Sequence, residues 1–331
     1  MQAGRESMAP KVSVVVPIYN VEQYIERCVR SLMEQTLQDM EFIFVDDCTP
    51  DLSVEVLKNV LVHYPKREKQ IKILKNAENR GLLQTRIIGF LQATGRYIGT
   101  VDSDDWIELD AFEILYNQAI TENTECVIFG YYRDFADHSE SCQRVFGYNI
   151  GKELVANVYR FPFEFFLWGN LLKNDMRLKN VIRQYADMPE WEGLTMWEDV
   201  AVMFPYYYGT QRLSYSKHCY YHYNKANENS AVSKQNESKV YQALRVVDYL
   251  REKMNEPSLD LTFHNLAFGA KNPLIGLKGP KCWREEHSES NRHILQFTSI
   301  PKYLRYLLFL MAHGISFPYF WSIKIARVLK L

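Results

Sequence analysis

The chain has 331 residues, 47% of them hydrophobic and 24% charged, with a formal net charge of −1. That length allows one large domain or two ordinary ones, and the composition excludes a disordered chain. Near-neutral charge excludes a general attraction to nucleic acid, and the six cysteines, none in CxxC spacing, argue against a zinc site.

Residues 1–10 read as a loose leader without an apolar signal segment, so a cytoplasmic protein is expected. No run of about 20 apolar residues predicts a membrane span. Residues 12–16 read as a strand buried on both faces and ended by Pro17. Asn20, with Gln23 at the reciprocal position, is a candidate N-cap for a helix to about Gln35, whose apolar stripe is Ile25, Val29, Leu32 and Met33. A second strand over 41–45 runs into a turn-rich acidic loop, 46–51. A helix over 53–63, a strand over 71–74, a turn at 79–81, a helix over 82–93 and a fourth strand over 97–101 follow.

The fourth strand ends in three carboxylates, Asp102, Asp104 and Asp105. Alternate residues at a strand tip point the same way, so Asp102 and Asp104 share a direction. Such a pair suits a hard divalent cation, Mg²⁺ or Mn²⁺, that also grips a diphosphate. A solvated acidic turn is the plainer alternative. Strand alternating with helix implies parallel strands with helical crossovers, so the loops at 17–20, 46–51 and 102–106 converge on one edge of the sheet, where such folds bind ligands.

Beyond Trp106 a helix over 111–121 and a strand over 126–131 are expected, then short aromatic-rich segments to about Tyr223 that complete the same domain. Residues 236–254 and 259–270 read as helices, with 272–281 a connector containing Gly276, Gly279 and two prolines. From Ser290 to Leu331 no residue is acidic, whereas Arg292, Lys302, Arg305, Lys324, Arg327 and Lys330 are basic and aromatic residues lie between them. This tail suits an interfacial helix on an anionic membrane; an amphipathic helix packed on the domain is the alternative.

The segments VVVPIYN (14–20), VDDCTPD (45–51), NRGLLQTRIIGFLQATGRYIGTVDSDDW (79–106), WGNLLKND (168–175) and WEDV (197–200) together resemble family-2 glycosyltransferases over about residues 11–230. The resemblance implies an α/β GT-A, Rossmann-like nucleotide-diphospho-sugar transferase fold with a mostly parallel central sheet. It divides the chain into a nucleotide-sugar half (11–110), an acceptor half (111–230) and a C-terminal helical region (231–331) with the basic tail. It also implies an inverting transfer from a nucleotide-diphosphate sugar, with Mn²⁺ or Mg²⁺, to a hydroxyl of a glycan or lipid-linked acceptor. The expected setting is bacterial cell-surface polysaccharide or lipopolysaccharide assembly, in the cytoplasm or peripheral on the inner face of the membrane.

By the same resemblance Pro17, Tyr19 and Asn20 flank the nucleotide, and Tyr19 stacks on the base. Asp47 accepts a hydrogen from uracil, which favours UDP; where the family usually reads VDDGS, Cys48 and Thr49 stand here. Arg86 lies near the nucleotide, although Thr85 and Ile87 depart from the family's usual alanine and asparagine. Asp102 and Ser103 reach the donor, Asp104 is the main metal ligand, Asp102 bridges ribose and metal, and Asp105 and His222 are further candidate ligands. Asp199 is the candidate general base, with Glu198 orienting it or the acceptor. Both also suit the positive end of a helix. Trp168 and Trp197 are candidate sugar platforms or core residues, and Ser230 lies on a loop that could order over the diphosphate. The competing classes are a non-catalytic nucleotide-sugar scaffold and a Mg²⁺-dependent phosphotransferase with an aspartyl nucleophile. The phosphotransferase is disfavoured because its motif belongs on the first strand. A sugar nucleotidyltransferase would need a glycine-rich basic loop there, and none is present.

Overall fold

The structure, a computed structural model, describes residues 9–186, 188, 191–227 and 236–328, with 323–328 described by backbone alone. The chain begins β1 (Val12–Ile18), α1 (Ile25–Met33), β2 (Met40–Asp46), α2 (Ser53–Leu61), β3 (Ile71–Lys75), α3 (Leu82–Gln92) and β4 (Tyr97–Thr100). It continues β5 (Trp106–Ile107), α4 (Ala111–Thr121), β6 (Cys126–Asp134), β7 (Ser139–Cys142), α5 (Gly151–Ala156), β8 (Asn170–Lys173), α6 (Met176–Ala186), α7 (Glu198–Gly209) and β9 (Leu213–Asn224). Helices α8 (Glu237–Met254), α9 (Asp260–Lys271), α10 (Leu274–Leu277), α11 (Gly279–Glu285), α12 (Lys302–Ala312) and α13 (Phe317–Val328) follow.

Contacts divide the chain into two compact units. The first comprises Met1–Gly151, Phe166–Thr195 and Gly209–Asn229; the second comprises Lys152–Phe165, Met196–Tyr208 and Ser230–Leu331. Segments 152–165 and 196–208, within the single domain expected over 11–230, therefore group with the C-terminal helices.

The first unit is built on a nine-stranded sheet in the order β3-β2-β1-β4-β8-β6-β9-β5, with β7 on β6. Strands β1, β2, β3 and β4 are mutually parallel, as the strand–helix alternation predicts. Strand β8 enters antiparallel to both β4 and β6. Every residue of β1 and β2 is buried, which is why these strands read as apolar runs and not as alternating ones. Strand β1 runs on past Pro17 to Ile18. Its pairing with β4 stops at Val15, so on that side the proline's missing N–H costs no ladder bond.

Helix α1 presents Ile25, Val29, Leu32 and Met33 to the core, as its periodicity predicts, but it starts at Ile25 and has no side-chain cap. Asn20 is not its N-cap: the residue lies in the left-handed region at φ 56°, and its N–H donates to Thr49 Oγ1 at 2.8 Å. The helix instead begins after Tyr24, four residues beyond Asn20.

The aromatic-rich stretch before Tyr223 contains the 12-residue β9, parallel to β6. Tyr220 and Tyr221, on opposite faces, are both buried, which erases the period-two pattern that marks a half-exposed strand.

In the second unit Asn236 caps α8 by accepting Lys239 N–H at 3.0 Å, and Asn255, left-handed at φ 40°, ends it. The connector expected over 272–281 is instead largely helical, forming α10 and the start of α11. Pro280 falls in the first turn of α11, where a helix needs no N–H donor. Helix α12 buries Leu308 and Met311 but exposes Tyr303 and Tyr306; Phe317, Phe320 and Trp321 of α13 are also exposed. No described helix is long and apolar enough to cross a membrane.

Candidate active site

The loops after β1 and β2 meet as the parallel topology requires. Thr49 accepts from Asn20 N–H and donates to Asp51 Oδ1 at 2.7 Å. Val21 N–H donates to Ser53 Oγ at 3.0 Å, and Glu22 N–H to Asp51 Oδ2 at 2.9 Å. Cys48, at the family's glycine position, keeps a left-handed backbone at φ 56°. Pro17 is buried within β1, whereas Tyr19 just beyond it is 49% exposed and so open to stacking.

Asp47 is buried, and its carboxylate receives three donors: Asn76 Nδ2 at 2.7 Å, Arg80 N–H at 2.8 Å and Gly81 N–H at 3.0 Å. It thereby ties the 79–81 turn to the end of β2. Gly81, at φ 84°, could not carry a side chain: a Cβ there would lie 2.9 Å from Gly193 Cα.

The acidic loop after β4 is bound on two sides. Arg86, buried in α3, donates through Nη2 to Asp102 Oδ1 at 2.6 Å, so it is an interior partner of this loop and not a surface helix charge. From the other side, Tyr221 on β9 accepts Asp102 N–H at 3.1 Å and donates to Asp105 Oδ2 at 2.6 Å. Asn224 N–H donates to Asp105 Oδ1 at 2.8 Å, and Asn224 Nδ2 to the Asp104 carbonyl at 3.2 Å. Asn227 Nδ2 reaches Asp104 Oδ2 at 2.8 Å.

Asp105 is thus buried with both oxygens engaged, and Ser103 is also buried, whereas Asp102 and Asp104 are only partly covered. Burial, reinforced by Asp102, pushes the Asp104 carboxyl above its ordinary range. Burial, with Asp104 and Asp102 beside it, pushes Asp105 further up.

Among the described residues no group of three or more His, Cys, Asp or Glu side chains is arranged to hold a metal ion. Of the three expected acids, Asp105 has both oxygens engaged within the fold, and Asp102 and Asp104 are the partly covered ones. Two carboxylates still fit a Mg²⁺- or Mn²⁺-type cation, which takes its other ligands from phosphate oxygens and water. His222 is otherwise engaged: Nδ1 lies 2.8 Å from Asp134 Oδ2 and Nε2 2.9 Å from Glu108 Oε1. Its ring is stacked between Trp106 and Tyr132 at centroid distances of 4.9 and 4.8 Å.

Residues 13–169 match the family model described as glycosyl transferase family 2. Over that segment the chain is similar to family-2 glycosyltransferases. It is 34% identical over 175 residues to the uncharacterized glycosyltransferase EpsJ of Bacillus subtilis, covering 51% of this chain and 49% of EpsJ. It is 30% identical over 218 residues to EpsH of the same organism, covering 65% of this chain and 60% of EpsH. The chain thus spans about half the length of EpsJ and somewhat more of EpsH. The fold is similar to S. aureus TarS residues 1–349 in complex with UDP-GlcNAc, with a TM-score of 0.65 at 18% identity, covering 97% of this chain and 92% of that one. That likeness spans the GT-A sheet and the C-terminal helical region expected from the sequence.

The matched family-2 segment includes the three strand-end loops and Arg86 but stops before β9. Tyr221, Asn224 and Asn227, which hold its acids, were missed by sequence reasoning, which singled out the adjacent His222. The strand is rich in polar and aromatic residues along its length, so nothing in the sequence set Tyr221 and Asn224 apart from their neighbours. Trp168 is buried and stacked on Tyr221 at 4.4 Å and on Phe166 at 3.9 Å, so it belongs to the core and not to a sugar platform. Glu198 and Asp199 lie in the first turn of α7, in the second unit, after Trp197 in a left-handed conformation at φ 64°. Ser230 lies outside the described residues.

Proposed function

We propose that the protein is an inverting, metal-dependent glycosyltransferase that moves a sugar from a UDP-type donor to a hydroxyl of a glycan or lipid-linked acceptor in surface-polysaccharide assembly. The observation that carries this reading is the partly covered pair Asp102 and Asp104, with Asp104 under electrostatic pressure, on the strand-end loop of a segment similar to family-2 glycosyltransferases. The cation they would hold, Mn²⁺ or Mg²⁺, supplies a Lewis acid against the charge of the departing diphosphate. Arg86 orients Asp102 towards the donor, and the exposed Tyr19 offers its ring to the base. Asp199 takes the acceptor hydroxyl proton as the acceptor oxygen bonds to the sugar carbon and that carbon's bond to the diphosphate breaks; Glu198 assists from the same helical turn. TarS, similar in fold, was solved with UDP-GlcNAc, which makes UDP-sugars the first donors to test.

The test is nucleotide release from a panel of nucleotide sugars with Mn²⁺ and candidate glycan acceptors. Asp104→Ala is expected to lower transfer about a thousandfold or more and to abolish metal-dependent nucleotide binding. Asp199→Asn is expected to spare nucleotide binding and lower transfer by about 10²- to 10⁴-fold. Near-full activity in Asp199→Asn with a verified acceptor would remove the base assignment. Absence of both release and nucleotide binding with every donor would favour a scaffold.

The exposed aromatics of α12 and α13, in a tail from Ser290 onward without acidic residues, support peripheral contact with an anionic membrane face. Sedimentation with anionic liposomes should fall on deletion of 290–331; unchanged partition would remove the membrane reading.

A further inference from the structure

We propose that Tyr221, Asp105 and Asn227 are positioning residues that preset the Asp102 and Asp104 carboxylates for a divalent cation before the donor arrives. The inference rests on the reading of those two acids as cation ligands.

Its basis is where the hydrogen bonds land. A loop of consecutive acids would by itself sample many conformations and repel itself apart, and ordering it on binding would weaken affinity. Here each acid is held from β9 or the turn after it. Asp102 is held through its N–H by the Tyr221 hydroxyl at 3.1 Å. Asp104 is held through its carbonyl by Asn224 at 3.2 Å and through one carboxylate oxygen by Asn227 at 2.8 Å. Asp105 is held through both oxygens, by Tyr221 and by Asn224 N–H.

The Tyr221 hydroxyl is the pivot, because it accepts from one end of the loop and donates to the other. Its ring has no freedom to move: it is fully buried and stacked on Trp168 with an interplanar angle of 11°. Asp105 is the buried anchor that receives these bonds, which explains a third acid in the motif that faces inward. The bonds from Arg86 to Asp102 Oδ1 and from Asn227 to Asp104 Oδ2 engage one oxygen of each ligand carboxylate, setting its rotamer while the second oxygen stays outside these bonds. Groups that orient metal ligands in this way are worth about 10- to 100-fold in metal affinity.

The experiment measures Mn²⁺ binding to the full chain by electron paramagnetic resonance of the free ion, in the presence of UDP, alongside thermal melting. Asn227→Ala and Tyr221→Phe are each expected to weaken Mn²⁺ binding about tenfold or more. Each should raise the Mn²⁺ concentration for half-maximal transfer by more than it lowers the maximal rate. Asn227 lies in the turn after the strand, so Asn227→Ala carries the test if Tyr221→Phe does not fold. Wild-type Mn²⁺ affinity in folded Asn227→Ala overturns the positioning role. Wild-type affinity in Asp104→Ala, or no Mn²⁺ binding by the unaltered chain with UDP, overturns the ligand reading beneath it, and the inference falls with it.

Discussion

Two strand-end loops of the first unit carry the same kind of sequence, a buried strand followed by clustered aspartates: 46–51 after β2 and 102–105 after β4. Their electrostatic states are opposite. In the first, donors outnumber the repulsions. Asp46 accepts Thr49 N–H at 2.8 Å, and Asp47 accepts from Asn76, Arg80 and Gly81. Burial pulls the Asp51 carboxyl upward, but hydrogen bonds from Ser53, Thr49 and the Glu22 N–H outweigh it and hold that carboxyl below its ordinary range. In the second loop donors also reach each acid, but burial, reinforced by like charge, drives Asp104 and Asp105 up. The first loop holds its carboxylates charged with hydrogen bonds, whereas the second buries two of its acids beside like charge.

The contrast can be broken by substitution. Asp47→Ala should have the largest effect on stability, about 3 kcal/mol or more in chemical denaturation, because it leaves buried donors at Asn76, Arg80 and Gly81 without their acceptor. A loss below about 1 kcal/mol would mean that the carboxylate exists for a ligand and not for the turn.

Asp104→Asn should act in the opposite direction on the cation-free protein. A carboxyl raised in the folded state stabilises the fold below that raised value, and its contribution is lost as pH rises through it. The unaltered protein should therefore lose melting temperature as pH climbs from the ordinary carboxylate range towards neutral. The variant should show a shallower slope and a slightly higher melting temperature at neutral pH without metal. Mn²⁺ with UDP should raise the melting temperature of the parent and not of the variant. Parallel pH slopes for the two proteins would refute the raised Asp104 carboxyl.

The smallest effect should come from the first loop. Cys48→Gly relieves a left-handed backbone worth about 1 kcal/mol, partly offset by the greater freedom of glycine in the unfolded chain, so a gain of about 0.5 kcal/mol is expected. A loss would show that the Cys48 side chain contributes contacts that outweigh the strain.

The N-terminal half was legible because its signals are local. Buried parallel strands read as apolar runs, the stripe of α1 has helical spacing, and helix 111–121 coincides with α4. The second half was less legible because β9 carries no alternation, and because α10 and α11 are short, the one following Pro273 and the other starting at Gly279.

The sequence by itself determined the α/β order, the edge of the sheet at which the loops gather and the candidates at that edge, since these follow from periodicity and from the handed connections of parallel strands. Only the tertiary structure decided which candidates remain available. Asp105 and His222 are engaged by residues more than 80 positions away in the chain, as is Asp102 through Tyr221, and no local pattern records such a partner. A carboxylate's role depends on how many donors reach it and how deeply it is buried, and both are set by long-range packing.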